Sequence, residues 1–310
     1  MTLADQTLLP EGVETTFAEI ESTMARVASG ERPCVAAGRS LAATATATVV
    51  AVGPRSRLVE AAGALKAQAE AGSIRAILIA SGHRSTPAVR VTSSEIALEG
   101  LRTEFINNAV AALRLPSLPA LVWWRGGEPQ QTEDLARLAD RLVLDAEEPE
   151  PLWIRMDSLV KEALVSDLRW TALTRWRALM AHFFDMPGVP AAVARFTRLQ
   201  IAGSDASSAR LFAGWLGASL KWQKVQVDFT RRPGAAIDTV IFGNGRDELS
   251  LRRLPGSTCV EARARLAERD VLRTASLGDQ SLAALVAEEL RVRSHDVAFE
   301  AAVRAAGAVA

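Results

Sequence analysis

Residues 41–80 read LAATATATVVAVGPRSRLVEAAGALKAQAEAGSIRAILIA. Within Leu41–Val52, Thr44, Thr46, Thr48 and Val50 alternate with Ala45, Ala47, Val49 and Ala51. A period of two rich in β-branched residues predicts a strand. Gly53-Pro54 breaks it. Ser56–Ala71 then carries Leu58, Ala62, Leu65 and Ala69 at helical spacing. Ile74–Ala80 is a short continuous apolar run, as in strands buried on both faces. Strand, helix and strand in succession predict a βαβ unit.

Outward from this unit, Glu14–Ser29 is expected to be a helix, with Phe17, Ile20, Met24 and Val27 along one side and Gly30 and Pro33 ending it. Downstream, Pro87–Val91 and Glu95–Leu98 are candidate strands, and Glu104–Leu113 is a helix. Leu118–Trp124 (LPALVWW) is a strand followed by Arg125-Gly126-Gly127. Thr132 is placed to cap a helix over Glu133–Arg141, and Leu142–Leu144 forms a short strand. Asp145–Pro151 reads as an acidic surface loop, and Trp153–Leu164 as a helix. The expected fold of this half is α/β, a mostly parallel sheet with helices on both faces.

Asp167–Asp185 reads DLRWTALTRWRALMAHFFD. Leu168, Ala172, Trp176, Leu179 and Phe183 form one row, with Leu173, Met180 and Phe184 beside it. This is an amphipathic helix stopped by Pro187-Gly188. It is either a core helix or one that turns Trp and Arg toward another protein. After Pro190 the pattern changes. Arg195–Ala202 is a strand, and Ser204–Leu220 is a helix whose Gly214 and Gly217 cost about 1 kcal/mol each relative to Ala, a sign of close packing. Val225, Val227 and Phe229 mark a strand. Ile237–Phe242 and Glu248–Arg253 flank Gly243-Asn244-Gly245-Arg246, a hairpin signal. Thr258–Ala264 is a further strand, and helices over Asp279–Arg291 and Asp296–Ala306 close the chain. The second half is expected to be α+β with an antiparallel sheet. The division expected is 1–165 and 166–310, beginning the second domain with the Trp-rich helix.

The 310 residues include 36 basic and 36 acidic side chains and no basic tract, which disfavours a nucleic-acid or anionic-membrane partner. No apolar run approaches the roughly 18 residues of a membrane span. The first residues lack the basic start and apolar run of a signal peptide. Cys34 and Cys259 stand far apart, as reduced thiols in a cytoplasm do. His83, His182 and His295 sit in no H-E-x-x-H or cysteine pattern, so no metal site is expected. There is no G-x-S-x-G, no phosphate loop, and no G-x-G-x-x-G after the first strand. No catalytic set and no cofactor follow from the sequence.

Two places can nonetheless take a ligand. Gly203-Ser204-Asp205-Ala206-Ser207-Ser208 opens a helix, and Gly203, Ser204, Ser207 and Ser208 can meet an anion there. Asp205 opposes this, because its carboxylate already complements the helix dipole, and capping by Ser204 or Asp205 explains the same residues. Trp123-Trp124-Arg125 lies at the carboxyl end of a parallel strand, where open α/β sheets bind ligands. There Arg125 can grip a phosphate or a partner's carboxylate. Alternatively, the tryptophans are core and shield while the glycines turn the chain.

Three segments taken together resemble the glucose-6-phosphate dehydrogenase assembly proteins, the OpcA family: LPSLPALVWWRG (Leu115–Gly126), SDLRWTALTRWRALMAHFFD (Ser166–Asp185) and LQIAGSDASSARLFAGWLGASLKW (Leu199–Trp222). The resemblance runs from about residue 40 to the final helix. It implies a non-catalytic activator that binds glucose-6-phosphate dehydrogenase, favours its active oligomer and supports the oxidative pentose phosphate pathway and NADPH supply. Trp123, Trp124, Arg125, Trp170, Trp176 and Arg177 become candidates for the partner interface by residue type and motif position. Control through vicinal thiols is not expected from Cys34 and Cys259. The alternative is a sugar-phosphate-binding enzyme or sensor using the sheet end and the 203–208 turn.

Overall fold

The protein is described here from a computed structural model covering residues 13–14, 45–82, 88–91, 95–222, 224–267 and 269–307. The helix expected over 14–29 lies outside these residues, except for Glu14, which is in a strand. The chain divides into two compact units, Met1–Leu168 with Leu282–His295, and Arg169–Ser281 with Asp296–Ala310.

The first unit holds an eight-stranded sheet of order β1-β4-β5-β3-β2-β6-β7-β8. Its strands are β1 (Val13–Glu14), β2 (Ala47–Pro54), β3 (Ile74–Ser81), β4 (Ala88–Val91), β5 (Glu95–Leu101), β6 (Ala120–Trp124), β7 (Arg141–Leu144) and β8 (Leu164–Asp167). From β5 to β8 neighbours are parallel, and β4 and β1 add antiparallel strands at one edge. The continuous apolar runs follow from this topology, since β2 and β3 are covered on both sides. Val49, Ala51, Ala76, Leu78 and Trp123 meet Leu58, Ala61, Leu65 and Ala69 of helix Arg55–Glu70. Val50, Val52, Ile77 and Ile79 alternate with them and face the other side, where helices Thr103–Leu113 and Gln131–Ala136 lie. The sheet is thus α/β, mostly parallel, as expected.

Three local expectations are corrected. The helix expected over Glu133–Arg141 is Gln131–Ala136, with Thr132 inside it. It stops early because β7 begins at Arg141, and just before it the Asp140 carboxylate accepts the Ala120 N–H at 2.7 Å. The helix expected over Trp153–Leu164 is instead two short helices, Glu150–Trp153 and Met156–Leu159, followed by β8. In β8, Ser166 and Asp167 are buried yet satisfied. Ser166 donates to Glu289 at 2.6 Å, and Asp167 accepts from the Trp153 indole at 3.3 Å. The helix expected over Asp167–Asp185 starts after β8 and is divided at Leu173 into Leu168–Ala172 and Thr174–Phe184.

Helix Leu282–Glu289 packs Val286 into the first unit's cluster, against helix Arg55–Glu70. Glu289 is 2% exposed and accepts two hydrogen bonds from the buried Arg141 of β7, one from Nε at 2.9 Å and one from the terminal nitrogen.

The second unit holds a six-stranded sheet of order β10-β9-β11-β12-β13-β14. Its strands are β9 (Arg198–Gly203), β10 (Gln226–Arg231), β11 (Thr239–Gly243), β12 (Glu248–Arg253), β13 (Cys259–Leu266) and β14 (Arg269–Ser276). All pairs are antiparallel except β9 with β10, which helix Ala206–Leu220 connects. Val260, Ala262 and Ala264 of β13 are buried and the residues between them are not, the period of a sheet with one covered face. The Asn-Gly signal gives the β11–β12 hairpin, in which the Asn244 side chain accepts the N–H groups of Arg246 and Asp247. The sequence pattern does not predict β14, since its edge position leaves most of its residues exposed and without an apolar rhythm. Gly214 has a packing reason: a Cβ there would collide with the backbone of helix Val297–Ala306 at Ala302 and Ala306. No helix among the described residues is long and apolar enough to cross a membrane.

Glu289→Ala leaves the Arg141 guanidinium buried and unpaired, and should lower the unfolding free energy measured in urea by about 3–5 kcal/mol. Arg141→Met combined with Glu289→Leu should recover most of that loss.

Candidate functional site

The chain order of the parallel sheet reverses at β2, which has β3 on one side and β6 on the other. The crevice at the carboxyl ends of β2 and β6 is where such sheets receive ligands. Here Arg125 fills it. Its guanidinium is 2% exposed and stacks over the Trp123 ring at 4.7 Å. Nε donates to Asp145 at 2.8 Å, one terminal nitrogen to Glu60 at 2.9 Å, and the other to the Arg57 carbonyl. Arg57 also pairs with Asp145, at 3.0 Å. Two glycines allow the approach. A Cβ on Gly53 would lie 2.9 Å from the Arg125 Cβ, and Gly126, at φ 145°, sits against Pro54.

The tryptophans beside it point to opposite faces of β6 and are fully buried. Neither indole N–H meets an acceptor among the described residues. Such an omission costs about 1–3 kcal/mol, so these rings are held by packing against a polar penalty.

At the 203–208 turn, Asp205 is the N-cap of helix Ala206–Leu220. Its carboxylate accepts the Ser207 N–H at 3.1 Å, the Ser208 hydroxyl at 2.6 Å and Arg169 Nε at 2.9 Å. The Ser204 hydroxyl donates to the Gly234 carbonyl at 3.0 Å, and a Cβ on Gly203 would collide with Ala236. The groups suited to an anion are thus engaged with the protein itself, as the capping alternative holds.

Trp170 and Arg177 form a third group. The Arg177 guanidinium lies 3.3 Å from the centre of the Trp170 ring. The Trp170 indole donates to Asp296 at 2.7 Å and its ring packs on Phe299. Asp296 also caps helix Val297–Ala306 through the Phe299 N–H. Burial pushes the Arg177 guanidinium down to about 10, with the Asp296 charge opposing. Trp176 is buried separately on helix Thr174–Phe184. Trp123, Trp124, Arg125, Trp170 and Trp176 therefore offer almost no surface in this structure, and Arg177 is half-buried. Their neighbours Arg175, Ala178 and His182 are exposed.

Sequence reasoning missed a cavity of about 550 Å³ in the second unit, floored by Phe196, Trp222 and Phe242. Its one legible signal was Lys221-Trp222 after a helix, where glycine is the usual terminator.

A unit with a mostly parallel sheet and a unit with a largely antiparallel one make a fold that is shared with a solved ketoreductase. The chain is similar to KijD10, a 3-ketoreductase from Actinomadura kijaniata solved with NADP and TDP-benzene, at a TM-score of 0.54 and 10% identity over 85% of this chain and 95% of that one. The open conformation of the same enzyme gives 0.51 at 11% identity over 84% and 95%. At such identity the likeness is one of fold. Residues 163–303 match the family described as the C-terminal domain of a glucose-6-phosphate dehydrogenase subunit. The chain is also 29% identical, over 140 residues, to the OxPP cycle protein OpcA of Synechocystis sp.. That match covers 42% of this chain and 29% of the relative, so it spans less than a third of the relative's length. Both findings support the OpcA resemblance drawn from the motifs.

Arg125→Met removes three hydrogen bonds but leaves Asp145 paired with Arg57. It should cost about 1–3 kcal/mol in urea unfolding, less than stripping a buried carboxylate of its only partner.

Proposed function

We propose that this chain binds a glucose-6-phosphate dehydrogenase in the cytoplasm and stabilises its active oligomer, with no turnover of its own. The observation that carries this reading is the match of residues 163–303 to a domain named for that dehydrogenase. The geometry supports it. Arg125 and its carboxylates fill the crevice of the parallel sheet, and Asp205 occupies the helix N-terminus. The rival reading, a sugar-phosphate-binding enzyme or sensor, needs one of these places open.

The motif tryptophans and arginines act in this reading by holding the contact surface in shape from beneath. Activation then follows from linkage. A protein that binds the assembled state more tightly than the dissociated one shifts the population toward assembly. A tenfold shift needs only about 1.4 kcal/mol of differential affinity.

The test is the specific activity of a dehydrogenase diluted until its oligomer dissociates, followed as the chain is added. Activity should rise and saturate toward that of the concentrated enzyme. An unchanged activity at every concentration contradicts the reading. The isolated chain should also melt at the same temperature with or without glucose 6-phosphate, 6-phosphogluconate or NADP. A ligand-dependent rise in its melting temperature favours the rival.

A further inference from the structure

Within Arg169–Ser281, the end of helix Ala206–Leu220, the segment before β9, the residues just before β10 and Phe242 of β11 enclose this cavity of about 550 Å³. Its floor is aromatic. Phe196 meets Phe242 edge-on, with centroids 4.9 Å apart at 86°, and Trp222 tilts onto the same ring at 5.5 Å. Its rim is cationic. Arg195, Lys221 and Lys224 are exposed there, and no carboxylate among the described residues lines the cavity. Arg195 pairs with Asp247 at 3.3 Å, whereas Lys221 and Lys224 have no acidic partner among the described residues.

Two local costs accompany this arrangement. Lys221 has φ 49° and ψ 37°, and no other non-glycine among the described residues has a positive φ. A side chain in that region costs about 1–2 kcal/mol, which is why glycine usually ends a helix this way. The helix dipole favours a cation at this end, which accounts for Lys221 but not for Lys224. Gly217 lies within the helix because a Cβ there would stand 2.7 Å from the Trp222 indole nitrogen. Both deviations seat Trp222 at the cavity and turn Lys221 to its rim. Local strain of this kind gathers at functional sites.

We propose that this cavity receives an apolar side chain of the dehydrogenase, carried on an acidic segment of that partner. The proposal rests on the reading above that a dehydrogenase is the partner. At about 550 Å³ the cavity has the size of a small-ligand pocket and room for a bulky side chain with part of the segment that carries it. An aromatic pocket ringed by solvated charge has the make-up of an interface hot spot, with the lysines steering approach. Small-molecule sites, by contrast, orient their ligand with fixed, buried polar groups, and none of the cavity's lining residues is a buried polar one.

The test is the affinity of the full chain for purified glucose-6-phosphate dehydrogenase, measured by biolayer interferometry. The variants are Lys221→Glu with Lys224→Glu and, as a control of equal charge change, Lys66→Glu with Lys161→Glu. Both pairs are exposed, and reversing the charge favoured at the helix end should cost the pocket variant only about 1–2 kcal/mol, so circular dichroism should show both variants folded. The pocket variant should weaken binding about tenfold or more and the control far less, with wild-type affinity falling as salt is raised. If the wild type does not bind at all, the partner reading falls and takes this proposal with it. If the wild type binds and the pocket variant binds no worse than the control, the pocket is overturned and the partner reading stands. If glucose 6-phosphate alone binds the isolated wild type and not the pocket variant, the occupant is a small anion and the proposal is overturned.

Discussion

A guanidinium taken out of water must find every partner inside the protein. Arg125 finds them in Asp145, Glu60 and the Arg57 carbonyl, with the Trp123 ring against its face. These contacts tie the turn after β6 to the start of helix Arg55–Glu70, and so fix the two strand ends between which an open α/β sheet would hold a ligand. Gly53 and Gly126 are what allow the backbones to come so close. Removing its carboxylate partners, rather than Arg125 itself, would leave the buried guanidinium under-compensated, which costs more than the pair is worth in isolation. The crevice is therefore held shut by the same contacts that stabilise the sheet.

Much of the fold is legible because burial on two faces writes continuous apolar runs and burial on one face writes alternation. The apolar run Ile74–Ala80 and the segment Glu248–Arg253 match their strands to within a residue. β8 is not legible, because half of its four residues are polar. Ser166 belongs in the sheet only because Glu289, 123 positions later, accepts its hydroxyl. The return of helix Leu282–Glu289 to the first unit rests on that same distant carboxylate and on Val286, and no local pattern carries such a contact. β14 escapes for the opposite reason, since on this edge strand only Val271 and Ala275 are even half-buried, too few to write an apolar period.

The candidate site is legible in residue type and not in burial. Trp123, Trp124, Trp170 and Trp176 stand out as unusual, but spacing alone does not separate an interface tryptophan from a core one. The 203–208 turn reads better, because the capping role of Asp205 follows from its position before a helix. The aromatic cavity is invisible in the sequence because Phe196, Trp222 and Phe242 come from three separate segments and meet only in the folded chain. Lys221, at a backbone conformation that favours glycine, is the one local irregularity that points to it.

Assembly by contact is a claim about mass, and sedimentation velocity of the dehydrogenase reads it directly. With the chain added at increasing molar ratio to a partly dissociated dehydrogenase, the faster-sedimenting oligomer should grow at the expense of the smaller species, with the chain travelling in the same boundary. A dehydrogenase distribution that stays unchanged while the chain sediments alone would contradict the role given to this protein.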